Sequence, residues 1–226
     1  DNAASGTSGS GGGLALVGGK AMLSGNTISD NYGSGGYTGV GGGVNSSSCD
    51  VTLLGNTISD NGAGGTRSAR GGGLALSGGT ATLVGNTILG NMVSKVGLFG
   101  SGADGLHFTD ATATLINNII AEHEDQGLYA GYASMDLSHT TLSGNELRVG
   151  DGSQVTMTNT IVVSATVGVH VEDGGALKME TTLWGSDRWA NAADWAGDGT
   201  ITTGTHNYWG DPAFVEPGSR DYHLDA

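Results

Sequence analysis

The sequence predicts an all-β fold, a right-handed single-stranded parallel β-helix (solenoid) of about eight coils with an aromatic C-terminal capping segment. Three observations predict it. A motif recurs every 30 residues, apolar side chains alternate with period two inside each repeat, and glycine fills 44 of 226 positions. Strands this short cannot stand as an isolated sheet, so each must pair with its equivalent one coil above and below.

The repeats come in chain order. Gly25-Asn26-Thr27-Ile28 returns as Gly55-Asn56-Thr57-Ile58 and Gly85-Asn86-Thr87-Ile88, and Gly11-Gly12-Gly13-Leu14 returns from Gly41 and Gly71. Degenerate copies then follow at a shorter spacing, from Gly105-Leu106 to Asn207-Tyr208-Trp209. Within a copy Leu14 alternates with Leu16, and Ala21 with Leu23. A period of two marks strands rather than helix. About eight coils at the ~4.8 Å strand spacing make a rod roughly 40 Å long. The right hand is expected from crossover chirality.

Inward ladders follow from the alignment. One is expected to run Leu23, Leu53, Leu83, Leu115, Leu137, Met157, Met179, and another Ile28, Ile58, Ile88, Ile120, Leu142, Ile161, Leu183. Between them Asn26, Asn56, Asn86, Asn118 and Asn159 are expected to form a structural ladder, each side chain bonding its neighbour and its own turn. Threonine stripes, including Thr27, Thr57, Thr87, Thr141, Thr160 and Thr182, are expected to face outward, where threonine is a good exposed strand residue.

Residues 32–42, 62–72 and 92–104 lengthen the early coils and are expected to stand side by side as a wall of loops. Beside that corner the outward position is Ala15, Asn45 and Ala75 in the long coils but His107, Tyr129, Arg148 and His170 in the short ones. Asp110, Tyr132, Asp151 and Asp173 follow a few positions later. A shallow carbohydrate groove fits this row: tyrosine to stack on a sugar, arginine and histidine to bind hydroxyls or carboxylates.

Composition excludes several classes. Eight Lys+Arg against 22 Asp+Glu give a net charge of −14, which repels a phosphate backbone, so no nucleic-acid partner is expected. No apolar run is long enough for a transmembrane segment. One cysteine, Cys49, rules out an internal disulfide. The start at Asp1-Asn2-Ala3 reads as a fragment or a processed form. No cofactor is expected. Calcium could sit between Asp30 and Asp60, which repeat in Ile-Ser-Asp-Asn. Glu122-His123-Glu124-Asp125 reads as a surface turn with metal-ligand chemistry as its alternative. No residue is assigned a catalytic role: the sequence holds no Asp-Asp pair, and Asp136 and Lys178 sit two coils (~10 Å) apart. All four tryptophans fall after residue 183, as expected of a segment that closes the last coil.

Coils of the Gly-Asn-Thr-Ile-Ser-x-Asn type, followed by Gly-Gly-Gly-Leu, resemble bacterial right-handed parallel β-helix surface proteins of the polymorphic outer-membrane-protein and choice-of-anchor types. The ending Asn207-Tyr208-Trp209-Gly210-Asp211-Pro212-Ala213-Phe214-Val215, then Asp221-Tyr222-His223-Leu224, is similar to the closing segment of the second type. The resemblance spans most of residues 11–226 and implies a pectin-lyase-like scaffold in a larger exported bacterial protein at the cell surface. Its expected role is structural or adhesive, with self-assembly or other surface components as partners. A polysaccharide lyase, glycoside hydrolase or carbohydrate-binding module is the alternative, because one scaffold carries many functions. The expected organisation is a flexible Ser/Gly lead-in over 1–10, the β-helix over 11–186, and the last coil with its cap over 187–226.

Overall fold

A computed structural model describes residues 2–94 and 102–225. Three sheets of eight strands run the length of the molecule, each strand parallel to its equivalents in the neighbouring coils. The chain is a right-handed parallel β-helix. The first sheet, here the groove sheet, begins at Leu14–Val17 and ends at Ala193–Ala196. The second runs from Lys20–Ser24 to Thr200–Thr203 and the third from Thr27–Ser29 to Tyr208–Gly210. The 30-residue repeat is therefore one coil, and the register pairs Leu23 with Leu53, Leu53 with Leu83 and Ile28 with Ile58.

The bore is filled as the alternation requires. Leu53, Leu83, Leu115 and Met157 are fully buried, as are Ile58, Ile88 and Ile120. Each such side chain contributes about 1.5–3 kcal/mol by leaving water. The second ladder departs from expectation in the late coils. Leu142 pairs with Val162 and Val162 with Trp184, so Ile161 and Leu183 point outward. The cause is a one-residue frame difference at the preceding turn. Asn159 has φ 49°, the left-handed conformation that Gly25, Gly55 and Gly85 hold in the early coils. Asparagine tolerates that conformation. Asn159 thus replaces the glycine, not the asparagine, of Gly-Asn-Thr-Ile, and a slip of one residue moves every later side chain to the other face. Thr160 and Thr182, expected outside, are accordingly buried in the turn.

The inserted segments are not irregular loops. Ala3–Ala4, Tyr32–Gly35, Gly62–Gly65 and Met92–Ser94 stack as a four-stranded parallel sheet, and Ser8–Ser10, Thr38–Val40 and Ser68–Arg70 as a three-stranded one. Residues 3–4 and 8–10 of the expected lead-in are thus paired strands. The early coils have a second, narrow lobe whose small core is Ala63, Ala69 and Val93. Glycine makes the lobe possible. A Cβ on Gly42 would lie 2.2 Å from the Gly62 carbonyl oxygen and 2.4 Å from that of Gly72. The Gly-Gly-Gly triplets mark the neck where the backbones cross. Residues 95–101 of the third insertion lie outside the described residues.

The C-terminal segment does two things. Trp195 and Trp209 occupy inward register positions below Val169 and Trp184 and cover the bore, with 37% and 56% of their surface exposed. Beyond Ala213 the chain leaves the end of the rod. An antiparallel hairpin, Phe214–Glu216 with Asp221–Leu224, folds back along the outside of the third sheet. Phe214 and Tyr222 pack there on Leu89, Ala121 and Val163, and Arg220 reaches Asp60 (3.3 Å) and Glu122 (2.8 Å). This hairpin is a lateral strap rather than an end cap.

Candidate functional site

The groove sheet brings the outward row together as the alternation requires. Ala75, His107, Tyr129, Arg148 and His170 are successive register partners. Parallel in-register pairing forces equivalent side chains to stand one strand spacing apart, so planar groups stack. The His107 and Tyr129 rings lie 4.7 Å apart at 12°. One face of Tyr129 is therefore already covered by histidine, and the ring exposed for a ligand is Tyr132, at 62% exposure.

A hollow of about 590 Å³ runs along this row between the sheet and the inserted lobe. Its floor holds His107, Tyr129 and Arg148, and its walls hold Arg70, Tyr132 and Glu172. A smaller hollow of about 210 Å³ continues it past Arg70 toward Asn45 and Ala75. The groove thus lies along the rod axis, across successive coils. His170 stands in the same coil as Glu172 but does not line the hollow.

The electrostatics divide the row. His107 is 93% buried (7% exposed), and burial, aided by the positive charge of Arg70, lowers its pKa to about 3. It is neutral at physiological pH. Its Nε2 lies 3.0 Å from Thr109 Oγ1, while Nδ1 has no partner among the described residues. Arg148 Nε donates to Glu172 Oε1 at 2.6 Å, and Nη1 lies 3.9 Å from Glu146 Oε1. Burial raises the Glu146 pKa. Burial also raises the Tyr129 pKa, with the nearby Glu172 charge acting the same way. Tyr132 Oη donates to Asp151 Oδ2 at 2.9 Å, which holds that exposed ring upright on its turn.

The structural ladder is present and directional. Asn26 N–H donates to Asn56 Oδ1, Asn56 N–H to Asn86 Oδ1 and Asn86 N–H to Asn118 Oδ1, each at 2.9 Å. Asn159 is outside it: exposed, with Nδ2 3.3 Å from His139 Nε2, while Thr140 and Thr160 take the buried position of the ladder and donate to the Ser138 and Thr158 carbonyls of their own turns. A second ladder, unforeseen from the sequence, runs through Asn2, Asn31, Asn61 and Asn91 to His123 and Asn145. Its signal was the second asparagine of each copy, five residues after the first, at Asn31, Asn61 and Asn91 with the same spacing of 30.

That second ladder decides the turn at Glu122-His123. His123 is buried inside it, and Glu122 accepts from Tyr222 Oη (3.0 Å) and pairs with Arg220. Asp60 is likewise held by Arg220. Among the described residues no group of three or more His, Cys, Asp or Glu could hold a metal ion. No helix there is long and apolar enough to cross a membrane.

A family model for the right-handed beta helix region matches residues 1–109. The match takes in the long coils and stops at the first short one, and the register carries the same fold onward to residue 210. Comparison with curated proteins and with solved structures gives no match.

Arg70 and Glu172 were missed in the sequence. Glu172 was legible from the alternation, since it follows inward Val171 and outward His170. Arg70 was not, because it comes from the lobe, whose strands carry no apolar period.

Proposed function

We propose that this chain is the rod of an exported, cell-surface bacterial protein with a structural and adhesive role, and that its adhesion is to glycans held along the groove. The observation that carries this is the continuity of the groove. Polar and aromatic side chains recur on three successive coils, at His107, Tyr129 and Arg148, so an extended polymer lying there meets one of them at each step along the axis. Concave sites with a few convergent polar groups are the ordinary form of a ligand site. Affinity electrophoresis in gels cast with linear polysaccharides tests the reading. At least one polymer should retard the chain, and Tyr132→Ala should weaken the retardation while leaving the far-ultraviolet circular dichroism unchanged. Migration independent of every polymer would refute it.

Self-assembly is supported by a separate observation. Within residues 1–226 the outermost strands of the three long sheets, at 14–29 and 193–210, pair on one side only, and inward Leu14, Leu16 and Ile28 are partly buried, so this stretch on its own can pair with a second copy. Open edges accept further strands. Concentration-dependent light scattering that rises with end-to-end length supports stacking of copies, and a concentration-independent monomer refutes it.

A further inference from the structure

Among the described residues, one cation of the groove has no acidic partner. Arg148 is matched by Glu172 and Glu146. Arg188 lies 3.8 Å from Asp211, and Arg220 binds Asp60 and Glu122. Arg70 is half-buried and lines both hollows, and among the described residues its guanidinium has no hydrogen bond and no carboxylate partner. Its charge is felt inside the groove, since it acts on the buried His107 ring and on Tyr129. Next to it, the unpartnered Nδ1 of His107 is a second polar group left without a mate.

A partly desolvated guanidinium without a counter-charge is costly to keep, and an anion that offers two oxygens to its paired N–H groups satisfies it best. Resting on the glycan reading above, we propose that the groove takes an acidic glycan whose sugar-borne oxyanion, carboxylate or sulfate, seats on Arg70. The net charge of −14 repels polyanions at long range. Attraction must therefore come from this local contact, and loose electrostatic adsorption cannot mimic it. A nucleic acid fits poorly, because its affinity is built from many phosphate contacts and, among the described residues, the groove offers one unpaired cation.

Two polymer pairs that differ only in the anion provide the test: alginate against its propylene glycol ester, and dextran sulfate against dextran. In affinity electrophoresis or calorimetry at low salt, at least one acidic polymer should bind roughly tenfold or more tighter than its uncharged twin. The preferred pair identifies carboxylate or sulfate. Added salt should erode that preference. Arg70→Gln should abolish it and Arg70→Lys retain part of it, with unchanged thermal melting. If Arg70→Gln fails to fold, the salt dependence and Arg70→Lys carry the test. Equal binding of the twins, or a preference that survives Arg70→Gln, overturns the acidic ligand while leaving glycan binding intact. No binding by any polymer, including a neutral panel of xylan and β-glucan, removes the glycan reading and this inference together.

Discussion

His123 should make the rod sensitive to acid, and replacing it with asparagine should remove that share of the sensitivity. The ring is completely enclosed in the second ladder, where Asn91 N–H lies 3.0 Å from Nδ1 and donates to it. Nδ1 also lies 3.2 Å from the Asn91 carbonyl oxygen, and Nε2 is buried without a partner among the described residues. Burial lowers the pKa from 6.5 to about 4, against a smaller opposing pull from the Asn91 and Ile88 carbonyls. Above pH 6.5 the ring is neutral in both the folded and the unfolded chain, so it adds no pH dependence there. As the pH falls through 6.5 the unfolded chain takes up the proton first and the fold loses stability. The loss levels off near pH 4, where the native ring titrates. From those values it is about 2 kcal/mol at pH 5 and about 3 kcal/mol at pH 4. Asparagine at this position would continue the pattern of Asn61 and Asn91, whose Nδ2 groups donate to Ile28 and Ile58 carbonyls. It cannot titrate. Urea unfolding of both proteins at pH 7, 6, 5 and 4.5, followed by circular dichroism, isolates the effect as a difference of differences. Other titrating groups, including His107 with its pKa of about 3, cancel between the two proteins. A stability gap between the proteins that is constant across this range would refute the reasoning.

The corrected frame of the first ladder is tested by a pair of substitutions. Asn86→Ala strands the Asn56 donors and the Leu53 carbonyl and should cost about 2–4 kcal/mol in urea unfolding, whereas Asn159→Gly, at a left-handed turn, should change stability by less than about 1 kcal/mol. Equal losses would put Asn159 back in the ladder. The strap makes its own prediction. Phe214→Ala should cost about 3 kcal/mol of hairpin docking and open residues 211–225 to limited proteolysis, with new binding of a hydrophobic dye at Leu89, Ala121 and Val163. Proteolysis patterns identical to the parent would show that the hairpin is held by something other than this cluster.

Much of the fold was legible because a solenoid writes its geometry into the chain. A contact between neighbouring coils is a contact at fixed sequence separation, so the 30-residue spacing of Leu23, Leu53 and Leu83 was already a statement of register. The outward row of His107, Tyr129, Arg148 and His170 followed from the same spacing and the two-residue alternation of side chains. Where the spacing was degenerate, legibility failed by a single residue. Asn159-Thr160-Ile161 looks like Asn86-Thr87-Ile88, and only the backbone conformation shows that Asn159 stands at the glycine position. The inserted segments failed for another reason: glycine and serine strands have no apolar pattern to read, and they are strands only because the neighbouring lobes supply their partners.

The sequence alone determined the coil, its stacking and the order of side chains along each face, because those depend on local conformation and a repeated spacing. The tertiary structure decided what faces those rows. Arg220 meets Asp60 across 160 positions, and Arg70 meets His107 from a lobe with its own stacking. Such meetings obey no period, since they depend on where non-repeating segments come to rest against the rod. Burial and charge balance belong to the same class. An arginine in a sequence is like any other, and only its surroundings show that Arg148 is compensated while Arg70 has no carboxylate partner among the described residues.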